Sequence, residues 1–154
     1  MAEHSNLKKN PNATVSSINE LMSLDSSAIE IIIDNGIGVW NYTVLDLTRF
    51  TQLRSLEVGD HCLSYVTMVI ITGLSELESV EIGMNSFTKN WGNDPNRHFY
   101  LKNCPKLKWL KIGEDSFSDY TVIEIENVDA LETIEMDGFA LASLELKSVF
   151  IHRE

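Results

Sequence analysis

Cysteine is scarce in this chain, with only Cys62 and Cys104. One pair cannot serve as a disulfide framework, and neither residue sits in a Cys-x-x-Cys or Cys/His metal spacing. Free thiols in a reducing cytoplasm are the expectation. Long apolar runs are also missing. The longest, "MVII" at Met68 to Ile71, falls far short of the roughly 20 residues of a spanning helix. The opening stretch to Ser17 carries no apolar h-region and does not read as a secretory signal. The glycosylation triplets at Asn12 and Asn41 are therefore not expected to carry glycans. Basic residues are few: 12 Lys and Arg against 23 Asp and Glu give a net charge of −11. Phosphate repulsion then argues against nucleic acid or an anionic membrane as partner. A basic partner stays open, although solubility alone accounts for the charge.

Catalytic patterns are absent too. His4, His61, His98 and His152 are scattered, with no His-Glu-x-x-His, no Gly-x-Ser-x-Gly elbow and no phosphate-binding glycine loop. "DNGIGVWN" holds a Gly-x-Gly without the third glycine or a helix start, and reads as a turn. "GEDSFSD" lacks the alternating ligands of a calcium loop. No enzyme activity, cofactor or metal site is expected.

What remains is ordinary globular composition, 44% hydrophobic and 23% charged over 154 residues, which suits one domain. Residues 1–15 read as a polar leader. Ser16 or Ser17 can cap a short helix over about 16–24, with Glu20 completing a capping box and Ile18, Leu21 and Met22 on one face. The isoleucines at 29, 31, 32 and 33, stopped by Asp-Asn-Gly, read as a strand.

From there the chain repeats itself. Leu53, Leu56, Val58 and Leu63 form one set. Leu77, Val80, Ile82 and Phe87 form the next, then Leu107, Leu110, Ile112 and Phe117, then Leu131, Ile134, Met136 and Leu141. The leading leucines are 24, 30 and 24 residues apart. A period of this length means stacked units, because one such unit cannot bury its own apolar side. "LESVEIGMNSF" at Leu77 to Phe87 matches the frame L-x-x-L-x-[LIV]-x-x-N-x-[LF], with Val80 at the second leucine place. The sequence thus resembles the leucine-rich repeat family over about Ala28 to Phe150. The "IGxxSF" ending looks most like the 23–24-residue repeats of BspA-like and protist members.

The resemblance implies an α/β leucine-rich repeat solenoid of about five short coils. It implies a parallel sheet on a concave face and a degenerate first repeat at about 28–50 before the four that start at 53, 77, 107 and 131. "VTMVII" and "YTVIEI" give the return side β character. The helix at 16–24 is expected to cap the N-terminal end. The family's asparagine place holds His61, Asn85, Asp115 and Phe139, and Asn85 is expected to bond backbone between coils. Phe139 cannot do so, which suggests the end of the stack. The glycines at 59, 83 and 113 read as turn geometry at the strand exits.

In the family the concave strand face usually takes the ligand. The outward columns here read Ser55, Ser79, Trp109, Thr133 and Glu57, Glu81, Lys111, Glu135. Lys111 between Glu81 and Glu135, and Lys108 between Glu78 and Glu132, read as a cross-strand charge ladder. Trp109 breaks the small-residue column; it is either a binding anchor or a ring lying flat over backbone. Six extra residues fall between Phe87 and Phe99, and the turn formers there read as a loop over 88–98 that carries Trp91. Trp40 is expected in the core.

Two functions fit. One is a noncatalytic protein-interaction module that uses Trp109, Trp91, Lys111, Glu57, Glu81 and Glu135. The other is a structural component docking through its ends, with end-to-end association through the C-terminal coil. A carbohydrate-active β-helix would need many more coils.

Overall fold

The computed structural model describes residues 11–89, 96–138 and 149–152. The elements in chain order are β1 (Asn12–Val15), α1 (Ile18–Met22), β2 (Glu30–Ile33), β3 (Val44–Asp46), β4 (Ser55–Val58), β5 (Met68–Thr72), β6 (Ser79–Ile82), β7 (His98–Lys102), β8 (Trp109–Ile112), β9 (Val122–Glu126), β10 (Thr133–Met136) and β11 (Val149–His152).

From β2 onward, successive strands alternate between two sheets. The first runs β1-β2-β4-β6-β8-β10 and the second β11-β9-β7-β5-β3. All pairs are parallel. Burial alternates along β1 to β9, as in Ser55–Val58, where Leu56 and Val58 point inward and Glu57 outward. The inward residues of both sheets form one core, with Leu53, Leu77, Leu107 and Leu131 stacked in it at 0–2% exposure. Each of these leucines closes a tight turn onto the residue three before it: Leu53 N–H on Phe50 O, Leu77 on Leu74, Leu107 on Cys104 and Leu131 on Val128.

Register gives the repeat its length. Ser55 pairs with Ser79, Ser79 with Trp109, and Trp109 with Thr133. In the second sheet Met68 pairs with His98, and His98 with Val122. The long interval can be located. The hydroxyls of Thr88 and Ser118, 30 residues apart, meet at 2.8 Å. Thr121 N–H, 24 residues beyond Arg97, donates to Arg97 O at 2.9 Å. The six extra residues therefore fall between Lys89 and Asn96. Trp91 and most of the expected 88–98 loop lie outside the described residues, as do Phe139 and Leu141.

Three expectations need correcting. Asn12–Val15, read as part of a polar leader, is the edge strand of the first sheet, with Ala13 and Val15 buried. Its alternating Asn-Ala-Thr-Val is a short strand pattern hidden behind a polar run. Asn85 reaches the next tier with its backbone N–H, which donates to Glu114 O at 2.8 Å, rather than with its side chain. It takes a positive φ of 54°, as His61 (56°) and Asp115 (63°) do, so it shapes a corner. The side-chain bonding between tiers belongs to its neighbour. Ser86 Oγ donates to Gly59 O at 2.7 Å and accepts from Cys62 N–H at 3.1 Å. Ser116 repeats this with Gly83 O and Ser86 N–H. The Gly59, Gly83 and Gly113 column also has another cause. A Cβ on Gly83 would lie 2.6 Å from Gly59 O, and one on Gly113 would lie 2.6 Å from Gly83 O. Close approach of adjacent backbones, rather than a left-handed turn, excludes a side chain there.

The expected helix is present but shorter. Ser17 Oγ accepts from Glu20 N–H at 3.1 Å, Glu20 Oε2 accepts from Ser16 N–H at 2.9 Å, and the chain leaves the helix at Ser23. Arg97, just past the extra residues, is fully buried. Its guanidinium donates to Ser64 O at 3.0 Å and lies 3.4 Å from Asp119, while Nε has no partner among the described residues.

Candidate functional site

The outer face of the first sheet is built from the residues that alternate away from the core. Strand register sets Glu30, Ser55, Ser79, Trp109 and Thr133 side by side in one column. A second column holds Ile32, Glu57, Glu81, Lys111 and Glu135. Neighbours within a column are about 4.8 Å apart along the hydrogen-bonding direction. Five of the six expected site residues, Glu57, Glu81, Trp109, Lys111 and Glu135, thus share one face; Trp91 lies outside the described residues. They line a shallow cavity of about 470 Å³ together with Glu30, Ser55, Ser79 and Thr133.

Trp109 is half exposed and stands in a column of hydroxyls. Half of its surface stays open to solvent. The charges around it are not closed into a ladder. Glu57 and Glu81 are direct neighbours of like sign. Lys111 lies between Glu81 and Glu135, yet among the described residues the ion pairs within 4 Å are elsewhere: Arg97–Asp119, Lys102 with Glu124 and Glu126, and Lys106–Glu76. The expected Lys108 rungs to Glu78 and Glu132 are open as well. Exposed side chains gain too little from such a pair to be held in it. The cavity is therefore rimmed by four carboxylates and one ammonium; Glu30 accepts from the Ser55 hydroxyl at 3.4 Å, and Glu57, Glu81, Glu135 and Lys111 are in none of the ion pairs among the described residues.

The chain matches no protein-family model, no curated protein and no solved structure.

Elsewhere, chemistry is sparse. Among the described residues no group of three or more His, Cys, Asp or Glu is placed to hold a metal. No described helix is long and apolar enough to cross a membrane. Cys62 and Cys104 are buried and unbridged. Burial pushes both thiols above their ordinary pKa; backbone hydrogen bonds pull the other way, and nearby Asp60 adds to the rise at Cys62.

Two features were missed from sequence. Glu30 extends the face by one strand, because β2 pairs with β4 and sets its outward column against Ser55; the isoleucines around it hid that alternation. Trp40, expected in the core, is 75% exposed. Gly38 before it passes close to the backbone of Leu63, which leaves Val39 and Trp40 on the outside of the turn. The only signal in the sequence was the run of turn residues around it.

Proposed function

We propose that the chain is a short leucine-rich repeat solenoid that works as a noncatalytic, cytoplasmic protein-interaction module. It binds a protein partner through the outer face of the first sheet, centred on Trp109 with Glu57, Glu81, Lys111 and Glu135. The observation that carries this reading is the half-exposed Trp109 beside a cavity rimmed by unpaired carboxylates. A large aromatic that is not packed away, ringed by polar groups, is the usual anatomy of a binding hot spot. The buried unbridged thiols support a reducing compartment. The 88–98 loop and Trp91 belong to the same proposal as an outlying contact. α1 serves as the cap of the N-terminal end.

The test is affinity capture with wild type and Trp109→Ala as baits. A protein held by wild type should be recovered about tenfold less with the variant, the effect of losing one hot-spot side chain. Equal recovery would place the binding surface elsewhere.

A second reading, a structural component docking through its ends, draws on β10. Ile134 is only partly buried and Met136 is exposed, while their counterparts Leu110 and Ile112 are covered. Sedimentation velocity at high concentration separates the two: a clean monomer counts against end-to-end association.

A further inference from the structure

The second sheet stops one strand short of the first. Beyond β2 the first sheet continues into β1, whereas β3 is an end strand. Between β1 and β2 the chain forms α1 instead of a strand. A groove lies between α1 and β3. One part, about 210 Å³, is walled by Val44, Leu45, Asp46 and Leu47 on one side and by Leu21 and Met22 on the other. Met22 and Tyr42 also line a second cavity of about 600 Å³ that reaches Val39 and Trp40. Seven large apolar side chains are exposed among the described residues, and four of them, Met22, Val39, Trp40 and Val44, lie along this groove. That is a concentrated apolar patch, of the kind that marks an interaction site.

The edge of β3 dictates the shape of an occupant. Toward β5, Thr43 O accepts from Thr67 N–H at 2.8 Å and Leu47 N–H donates to Ile70 O at 3.0 Å. Backbone groups alternate sides along a strand, so Val44 and Asp46 turn their N–H and C=O away from β5. Among the described residues neither makes a backbone hydrogen bond to another element there. Charge does not select the occupant. Arg49 and Asp46 share one end of the groove, and Arg49 already donates to Leu24 O at 2.7 Å. A second copy fits poorly, because its own β3 edge is flanked by its own α1, and pairing two such edges brings two helices to one groove.

We propose that this groove docks an extended, uncharged segment of another protein as an added strand of the second sheet. Its backbone bonds to Val44 and Asp46, and its alternate apolar side chains pack against Met22, Trp40 and Tyr42. This site is separate from the Trp109 face and does not depend on it.

The probe is a synthetic peptide that copies Thr67–Thr72, the segment containing the strand that already complements β3 on its other side, with a lysine at each end for solubility. Titration calorimetry on the full chain should show saturable binding. The same peptide N-methylated at alternate residues should bind about tenfold more weakly or not at all, since it loses the edge hydrogen bonds. Val44→Pro removes an N–H that faces away from β5, at an edge position that tolerates proline; it should weaken binding about fivefold or more. If that variant fails to fold by circular dichroism, Trp40→Ala decides, with about tenfold weakening expected. The absence of saturable binding to wild type overturns the proposal. Equal affinity for the methylated peptide, or an unchanged affinity in the deciding variant, does so as well. A dimer of the unliganded chain that Val44→Pro dissociates assigns the groove to a second copy and overturns it too.

Discussion

The two sheets offer solvent the same parallel lattice but treat their polar side chains in opposite ways. On the second sheet, Lys102 Nζ lies 3.3 Å from Glu124 and 3.7 Å from Glu126, and 5.2 Å from the Tyr100 ring centre. The Tyr100 hydroxyl in turn meets His98 Nδ1 at 2.9 Å. On the first sheet, Lys111 has a carboxylate on each side and closes on neither. Partial burial explains the difference. The Lys102 group is only about a quarter exposed, so its pairs are partly shielded from water, whereas Lys111, Glu81 and Glu135 are exposed. A face that satisfies itself has little to gain from a partner. A face with unpaired charge around a bare tryptophan does.

Substitutions can break what the faces share before testing where they differ. Gly83→Ala should be the most damaging. It drives a methyl into the backbone of the preceding tier, which both sheets depend on, and should cost about 3 kcal/mol in urea unfolding. Ser86→Ala comes next. It leaves Gly59 O and Cys62 N–H without their partner, for a loss of about 2 kcal/mol. Ser86→Cys should recover part of that loss, because Cys62 holds the equivalent place one tier earlier.

Alkaline titration probes the shared interior without touching either face. Cys62 and Cys104 are raised by burial, so the folded state keeps its thiol protons after the unfolded chain has begun to lose them near pH 8.5. The unfolded state then binds fewer protons, and stability falls as pH climbs above that point. Tyr42, raised chiefly by burial, adds to the fall at higher pH. Denaturation midpoints between pH 7 and 10 should decline, and Cys62→Ser should flatten the slope while keeping the hydrogen bonds of its column. A flat wild-type profile would contradict the burial argument.

The smallest effects sharpen the comparison itself. Lys102→Ala should cost about 1 kcal/mol and lose part of that cost in high salt, whereas Lys111→Ala should stay within about 0.5 kcal/mol at any salt. Equal effects at the two lysines would remove the distinction between the faces.

How far the sequence led depended on what each residue answers to. Burial in a stack answers to spacing, so the leucines at 53, 77, 107 and 131 named their own column and the long interval located the extra residues. The outward columns followed, because a strand alternates by two. Trp109, Lys111 and the glutamates could therefore be placed together before any coordinates. Corner chemistry does not announce itself this way. Asn85 and Ser86 are adjacent and both polar, and which side chain bonds between tiers depends on a positive φ that no spacing reveals. Trp40 and the groove beneath it were hidden for a related reason. They lie beside α1, ahead of the first of the periodic leucines, where spacing has nothing to compare.

The six extra residues between Lys89 and Asn96 carry a consequence for how such a chain can change. Both ladders resume their 24-residue stride beyond them, as Trp109–Thr133 and His98–Val122 show. At that junction chain length is uncoupled from register, and the entropic penalty of a longer excursion grows only with the logarithm of its length. The molecule thus has a port at which foreign sequence can be written into it, by evolution or by an engineer, while the lattice on either side keeps count.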